Sequence, residues 1–243
     1  DPTGWKVDTR SVLDFLDELD GETLFTFMYE NINRFAEIDK VADSFGLLLS
    51  DRDWRLKYDD LDDSLTNGEK VFELFRQMLI DRGIARFVPF MPIQRPGDAF
   101  EKMRLTLATR SAVGIEVFRA AQRAAEKRVY PVRVKELDGD ESQTPLFSAG
   151  EISKAHLSSF GVNGTRILRT LEPILLEALR TGPLRYSDMS ERFCSTHSIN
   201  RAGLNSLLRQ LKSQDLVSYD LMPTKKVPSD GTIVALAGQR SFF

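Results

Sequence analysis

The order in which helical and strand-like runs follow one another constrains the fold of this chain most strongly. Apolar residues at helical spacing from 8 to 19 are followed at 23–29 by a short aromatic run with little polar alternation, which is typical of a strand covered on both faces. A polar, mostly helical stretch then leads to a second amphipathic helix at 68–81. We expect the strand at 23–29 to lie in the interior of a parallel sheet.

Two strand-like runs after these helices predict a hairpin. The runs at 85–93 and 103–109 are joined by the turn-rich stretch 94–98. Pro89 and Pro92 in the first run are tolerated at a sheet edge, where the missing N–H is not needed for pairing. We therefore expect the hairpin to form one edge of the sheet.

This order predicts an α/β fold, namely the C-terminal half of a Rossmann-type methyltransferase sheet, in which the last two strands form an antiparallel pair. The predicted domain covers 1–135, with an Ala-rich helix at 113–127 and a helical insertion at about 36–66. The acidic run at 59–63 predicts a solvated face. Because no Gly-x-Gly turn follows any strand, the half of the sheet that approaches the cofactor is not expected in this chain.

The C-terminal part predicts a second, α+β domain. Residues 136–150 are rich in Asp, Gly, Ser, Gln and Pro without periodicity, and 136–162 are predicted to form a linker to a domain at 163–243. The predicted segments of that domain are a helix at 166–180, two helices capped by Ser187 and Ser198, and strands at 217–221 and 232–236. Three helices followed by a two-stranded wing is the plan of a winged helix-turn-helix domain.

The third helix and the wing of this domain carry the candidate nucleic-acid contacts. Arg and Asn side chains read guanine and adenine edges, and wing lysines meet phosphates. The candidate contacts are Asn200, Arg201, Asn205, Arg209 and Lys212 on the helix and Lys225 and Lys226 on the wing. The predicted core face of the same helix consists of Leu204, Leu207, Leu208 and Leu211. The alternative is a solvated helix in a module that dimerises or docks onto a protein.

Charge and cysteine content narrow the functional classes. From residue 183 to the end there are eight Lys/Arg and five Asp/Glu, a balance of 8 − 5 = +3 within a chain of net charge −3, which suggests an anionic partner there. Cys194 is the single cysteine, so neither an internal disulfide nor a Cys-rich zinc site is expected, and His156 and His197 are too isolated for a metal site. No run approaches about 18 apolar residues, so we expect a cytoplasmic protein without a membrane partner.

Three segments resemble the bacterial three-Cys-motif partner proteins. They are Asp-Pro-Thr-Gly-Trp at 1–5, Phe-Thr-Phe-Met-Tyr-Glu-Asn-Ile-Asn-Arg-Phe at 25–35 and Leu-Thr-Leu-Ala-Thr-Arg-Ser-Ala-Val-Gly-Ile-Glu-Val-Phe at 105–118. These proteins are methyltransferase-like, and their genes accompany that of a three-Cys-motif, radical-SAM-like protein. The resemblance implies S-adenosylmethionine as the cofactor of a full-length protein, with none expected for this chain alone, and the three-Cys-motif protein as a partner. Thr3 departs from the family pattern, which usually has a bulky residue there.

The turn at 1–5 also resembles the Asp/Asn-Pro-Pro-aromatic turn of amino-methyltransferases, in which a carboxylate or amide and a backbone carbonyl grip the amine while an aromatic ring stacks on the base. The resemblance makes Asp1 the amine acceptor, Pro2 part of the turn and Trp5 the stacking surface. The alternative is that Asp1 caps the following segment and that the Pro-x-Gly sequence only shapes a strand-to-helix turn.

Three further candidate residues follow the aromatic strand at the end where open α/β sheets bind ligands. Asn31, Asn33 and Arg34 form a polar cluster that can orient a substrate. In the alternative interpretation, Arg34 pairs with Glu30 or Glu37 on a surface helix. The sequence leaves both interpretations open.

Two functions follow from these features. The first is a SAM-dependent, methyltransferase-like protein that acts on DNA or RNA, with the winged helix recruiting the substrate. The second is a non-catalytic adaptor, in which a degenerate methyltransferase scaffold and the winged helix bind a partner protein or DNA. The Thr3 departure and the lack of a glycine-rich half favour the adaptor for this chain.

Overall fold

The chain folds into two compact units. The computed structural model describes residues 9–18, 21–38, 41–94, 101–138 and 161–239. The first unit covers Asp1–Gly114 and the second covers Ile115–Phe243. The division falls inside the helix that the sequence placed at 113–127, earlier than the expected domain limit at 135.

The first unit is a mixed helix and sheet structure. In chain order its described elements are α1 (Thr9–Glu18), β1 (Thr23–Phe27), α2 (Tyr29–Phe35), α3 (Ala42–Leu48), α4 (Trp54–Asp59), α5 (Asn67–Asp81), β2 (Phe90–Gln94) and β3 (Glu101–Ala108). The helices predicted at 8–19 and 68–81 are therefore confirmed. The start of α5 is fixed by a capping box, in which Thr66 accepts from the Glu69 N–H and the Glu69 carboxylate accepts from the Thr66 N–H.

The sheet of the first unit has the order β1-β3-β2, and both of its pairings are antiparallel. The hairpin predicted from the runs at 85–93 and 103–109 is confirmed as β2 and β3, with Met91 opposite Leu105. Pro92 lies in β2, which pairs only with β3 among the described strands. The position suits a proline, because a strand at the edge of a sheet does not need every backbone N–H.

The expected place of β1 inside a parallel sheet is wrong for the described residues. Its one described partner is β3, and the two strands are antiparallel. Phe25 and Phe27 face the core, whereas Leu24, on the other face, is 60% exposed. Apolar residues occupy both faces of this strand. The sequence therefore predicted burial on both faces, although one face is exposed.

The core of the first unit is aromatic. The Phe27 ring contacts those of Phe72 and Phe75 at centroid distances of 5.0 and 5.6 Å. The helices within the expected insertion at 36–66 add to the same core, because Phe45 and Trp54 are almost fully buried. These helices are therefore more than a surface addition, whereas the aspartates of the acidic run at 59–63 are exposed, as predicted.

The second unit is mainly helical with a small sheet. Its described elements are most of α6 (Ala112–Asp138), then α7 (Gly161–Arg180), β4 (Leu184–Arg185), α8 (Tyr186–Thr196), α9 (Arg201–Ser213), β5 (Val217–Ser218) and β6 (Ile233–Leu236). The sheet order is β4-β6-β5, with both pairings antiparallel. The predicted helices and the last two strands are confirmed. Strand β4 was not predicted, because two residues are too few to show alternation. Residues 139–160 of the expected linker lie outside the described part.

The expected N-caps of the last two helices need correction. Helix α8 begins at Tyr186 rather than after Ser187, and its N-cap Arg185 makes no capping bond through its side chain. The N-cap of α9 is Asn200, whose side chain accepts a hydrogen bond from the Gly203 N–H at 2.9 Å, and not Ser198. Both Ser and Asn are good N-cap residues, so the sequence alone placed the start of α9 two residues early, whereas it placed the start of α8 two residues late.

Leucines form most of the core of the second unit. The four predicted core residues of α9, Leu204, Leu207, Leu208 and Leu211, are fully buried. The buried residues of this unit also include side chains of α7 and α8, namely Leu171, Leu175, Met189 and Phe193. Within the described ranges, no helix combines the length and the apolar character that crossing a membrane requires.

Candidate functional site

The candidate site residues of the first unit fall into two groups. Asp1, Pro2 and Trp5, the predicted amine-binding turn, lie outside the described residues. The second group, Asn31, Asn33 and Arg34, lies on α2, directly after the C-terminal end of β1. The structure therefore places only this second group.

The side chains of α2 are used in contacts within the unit. The side-chain oxygen of Asn33 accepts a hydrogen bond from the Gly68 N–H at 2.8 Å and so holds the first turn of α5. Arg34 donates to the Glu30 carboxylate at 3.0 Å on an exposed surface, which is the alternative that the sequence left open. Asn31 is half-buried. Two of the three candidates thus have structural partners.

Close packing surrounds the contact between α2 and α5. A Cβ atom on Gly68 would lie 2.8 Å from the Tyr29 ring and 2.9 Å from the Asn33 Cβ, so only glycine fits there. The Tyr29 hydroxyl bonds to the Thr66 hydroxyl at 2.7 Å, and burial raises the pKa of Tyr29. This geometry gives Asn33 a packing role.

An unpredicted charged residue, Arg104, lies in the core of the first unit with 5% of its surface exposed. Its guanidinium donates to both oxygens of Glu101, at 2.7 and 3.2 Å. The rings of Tyr29, Phe90 and Phe72 lie 4.2, 4.4 and 4.6 Å from it. Since a carboxylate and three rings surround the guanidinium, Arg104 stabilises the packing of this core. The sequence feature that could have predicted this buried charge is a single arginine at a core-facing position of an apolar strand.

Two predicted nucleic-acid contacts at the start of α9 are used inside the second unit. Asn200 is the N-cap described above. Arg201 is half-buried and forms ion pairs with Glu116 at 2.9 Å and with Asp230, while its guanidinium lies 5.0 Å from the Tyr186 ring centre. Burial alone would lower the pKa of Arg201, but its bonds to Asp230, Tyr186 and Glu116 outweigh burial and raise it. Neither side chain is presented for base contacts.

Two further predicted contacts on α9 turn towards their own unit. Asn205 is half-buried, and its amide oxygen is buried without a hydrogen-bond partner in the described structure. Lys212 donates to the backbone carbonyl of Tyr219 and lies 4.3 Å from the centre of that ring. Asn205 is therefore not on the exposed side as expected, whereas Lys212 is exposed but has a bonding partner within its own unit. An amphipathic pattern separates core from surface, but it does not show which polar side chains bond internally.

Four predicted contacts are exposed, namely Arg209 and Lys212 on α9 and Lys225 and Lys226 in the loop at 219–232 that joins β5 to β6. Four apolar side chains in or beside that loop are exposed as well. They are Leu216, Leu221, Met222 and Val227, of which Met222 is 59% exposed. This mixed apolar and basic surface is named the β5–β6 loop surface.

A second buried arginine and the single cysteine meet at the end of α8. The Arg119 side chain donates to the carbonyl oxygens of Cys194 at 2.8 Å and Ser195 at 3.5 Å, and to the Gln122 amide oxygen at 2.6 Å. Burial lowers the pKa of Arg119 to about 10 and raises that of Cys194 to about 11. The thiol is therefore held in its protonated, unreactive form.

The described residues contain no group of three or more His, Cys, Asp or Glu side chains that could hold a metal ion. No protein-family model, curated protein or solved structure matches this chain.

Proposed function

We propose that this chain is an adaptor whose C-terminal unit binds a partner protein through the β5–β6 loop surface. The observation that carries the proposal is the chemistry of that surface. Leu221, Met222 and Val227 are exposed there beside Lys225 and Lys226. Large apolar side chains grouped on a surface mark protein interaction sites, and exposed lysines alone would not distinguish such a site.

The arrangement of the second unit supports a winged-helix interpretation. Helices α7, α8 and α9 precede the paired strands β5 and β6, and the loop at 219–232 takes the position of the wing. Winged-helix domains bind either nucleic acid or protein, so the fold class leaves the partner open. The exposed side chains indicate whether nucleic acid or protein is the favoured partner.

The side chains favour a protein partner over nucleic acid. Asn200, Arg201 and Asn205 are half-buried, and the exposed Lys212 donates to the Tyr219 carbonyl. Arg209 is the exposed basic residue of α9 that makes no hydrogen bond within the described structure. The exposed residues around it, Ala202, Ser206, Gln210 and Ser213, are small or uncharged. Duplex recognition requires several cations on phosphates, and the four exposed cations among the predicted contacts, one of them bonded to a backbone carbonyl, provide little of that affinity.

The resemblance to three-Cys-motif partner proteins names the candidate partner, the three-Cys-motif protein. A titration of the purified partner into this chain, monitored by calorimetry, tests the proposal. We expect binding that Met222→Asp weakens at least about tenfold, or about 1.4 kcal/mol, because a carboxylate would be desolvated in the interface. Leu56→Asp, which replaces an exposed leucine of the first unit, is the matched control.

Two outcomes would contradict the adaptor proposal. One is the absence of binding to the three-Cys-motif protein at micromolar concentrations. The other is tight binding to a mixed-sequence DNA or RNA duplex that weakens steeply with salt, since a salt dependence of that kind reports phosphate contacts. The second result would establish the nucleic-acid interpretation of the same unit.

A second candidate function, a methyltransferase-like protein acting on nucleic acid, is favoured by the sheet of the first unit. The antiparallel pair β2 and β3 beside β1 agrees with the last strands expected of a Rossmann-type methyltransferase sheet. The Gly-x-Gly turn that approaches the cofactor in that fold is not in this sequence, and Asn33 and Arg34, which were predicted to orient a substrate, have structural partners. We therefore assign no transfer step to it. Calorimetric titration of S-adenosylmethionine into this chain and into the longest natural version of it tests this candidate.

A further inference from the structure

Two adjoining grooves lie among α1, α3, α4 and α5 of the first unit. Their volumes are about 670 and about 540 Å³, which lies within the size range of small-molecule sites. Arg10, Ser50, Asp51 and Trp54 line both grooves, so they form one continuous concave surface. This surface is named the arginine groove.

The shape of the arginine groove is set by the turn that ends α3. Ser50 has a left-handed backbone with a φ of 51°, and its N–H donates to the Leu47 carbonyl at 3.2 Å. The Asp51 N–H donates to the Gly46 carbonyl at 3.0 Å, which completes a Schellman cap. A Cβ atom on Gly46 would lie 3.3 Å from the Asp51 carbonyl oxygen. The turn is therefore tightly packed, and the backbone of the residues that line the groove there is fixed in position.

Positive charge prevails in the larger groove. The three cations on its lining are Arg10, Arg52 and Arg55. Of the two acidic residues there, Asp51 is paired with Lys57 at 2.7 Å, and the hydrogen bond from that ammonium group lowers the pKa of Asp51. Asp43 is the other acidic residue. Arg52 is exposed and forms no ion pair within the described part of the chain, so its guanidinium is available to a ligand.

Apolar surface lies beside these cations. Leu47 is 51% exposed and lines the larger groove, while Leu74 and Met78 line the smaller one. The Arg55 guanidinium lies 5.0 Å from the centre of the Trp54 ring, which orients it on the shared wall. The arginine groove thus offers a cationic end next to an apolar surface.

We propose that the arginine groove binds a phosphate ester carried on an organic body of about nucleotide size. Guanidinium groups match phosphate oxygens with two parallel N–H donors, and Arg52, which forms no ion pair within the described residues, lines the larger groove beside Arg10 and Arg55. The organic body lies against Leu47 and extends towards Met78 in the smaller groove. This inference goes beyond the adaptor function, because it concerns the first unit and needs no partner protein.

Calorimetric titration of the full chain with three probes tests the proposal. The probes are adenosine monophosphate, a ten-nucleotide single-stranded oligonucleotide and inorganic phosphate. We expect one of the two organic probes to bind more tightly than inorganic phosphate. Arg52→Glu is expected to weaken that binding at least about tenfold, because it places a carboxylate next to the phosphate. Arg192→Glu, at an exposed arginine of the second unit, is the matched control and should change nothing.

Each outcome decides a specific part of the proposal. Tighter binding of the mononucleotide identifies a small ligand, and tighter binding of the oligonucleotide identifies a nucleic-acid backbone; both support the phosphate ester. The absence of binding by either organic probe at millimolar concentration overturns the proposal. Equal affinities for adenosine monophosphate and inorganic phosphate, or an unchanged affinity in Arg52→Glu, overturn it too. Since Arg52 forms no ion pair with another described residue, circular dichroism should show that the variant is folded.

Discussion

Among the described residues, each of the two units buries one arginine, and the two arginines are accommodated in different ways. Arg104 of β3 has a carboxylate partner, Glu101, and three aromatic rings around its guanidinium. Arg119 of α6 donates to the backbone carbonyls at the end of α8 and to an amide. In the first unit a carboxylate bonds directly to the cation, whereas in the second unit the hydrogen bonds go to carbonyl groups at a helix C-terminus and to an amide.

The difference shows what a buried cation can stabilise. The Glu101–Arg104 pair depends on both partners, because removal of the acid leaves a full charge inside an aromatic core. Arg119 satisfies carbonyl groups that the end of α8 would otherwise leave without partners. The first arginine therefore stabilises the packing of side chains, and the second stabilises a helix terminus.

The positions of two rare residue types allow the two units to be followed separately. Both tryptophans, Trp5 and Trp54, belong to the first unit, and the single cysteine, Cys194, belongs to the second. Tryptophan fluorescence therefore reports unfolding of the first unit. The rate at which a thiol reagent modifies the buried Cys194 reports opening of the second.

The largest expected effect is that of removing the acid from the buried pair. Glu101→Ala should lower the free energy of unfolding of the first unit by about 3–5 kcal/mol, because Arg104 would remain charged and almost fully buried. Urea unfolding followed by tryptophan fluorescence measures the change.

A matched control for this pair is Glu30→Ala, which breaks the exposed Arg34–Glu30 pair and should cost less than about 1 kcal/mol. The double variant Glu101→Leu with Arg104→Met should recover most of the loss, since it removes both charges and keeps the volume. A loss below about 1 kcal/mol in Glu101→Ala would mean that the aromatic rings alone compensate the cation.

Removing the second arginine should have the next largest effect. Arg119→Met is expected to destabilise the second unit by about 2–4 kcal/mol, because the Cys194 and Ser195 carbonyls lose a charged donor. Thiol modification of Cys194 should become at least about tenfold faster. Arg192→Met, at an exposed position of α8, is the control and should leave the rate unchanged. An unchanged rate in Arg119→Met would show that α8 keeps its end without this bond.

Cys194 predicts how the stability of the second unit depends on pH. Burial raises its pKa from 9.0 to about 11, so between these values the folded state holds a proton that the unfolded state has lost. The stabilisation is complete below pH 9 and is lost as the pH rises to 11, by up to about 2.7 kcal/mol. Urea unfolding of the second unit, followed by helical circular dichroism at several pH values, measures this loss. A Cys194→Ala variant with an equally steep decline would assign it to other groups.

The sequence predicted the elements better than their polar contacts. The spacing of Leu204, Leu207, Leu208 and Leu211 was sufficient to predict the core face of α9, because burial follows helical periodicity. The strand at 23–27 was found as well. Its antiparallel pairing with β3 was not, because the pattern of a single strand does not reveal the direction of its partner.

The site residues were harder to predict for a physical reason. Arg201 and Lys212 have the residue types and spacing of base-reading side chains, but partners distant in sequence, such as Glu116 with Arg201, occupy them in the folded unit. Arg104 was missed because its partners Tyr29 and Phe72 are also distant in the chain. Periodicity describes faces of elements, whereas these contacts depend on tertiary structure.

The smallest expected effect concerns a buried polar group that, unlike Arg104, has no partner. Thr106 of β3 is fully buried, and its hydroxyl makes no hydrogen bond in the described structure. Thr106→Val should therefore raise the free energy of unfolding by about 1 kcal/mol, because it removes an unsatisfied hydroxyl and keeps a β-branched shape. Thr26→Val, at an exposed position of β1, is the control and should change stability by less than about 0.5 kcal/mol. If Thr106→Val destabilised the first unit instead, the hydroxyl would have a bound water as its partner. The core around Arg104 would then be as fully hydrogen-bonded as the end of α8 around Arg119.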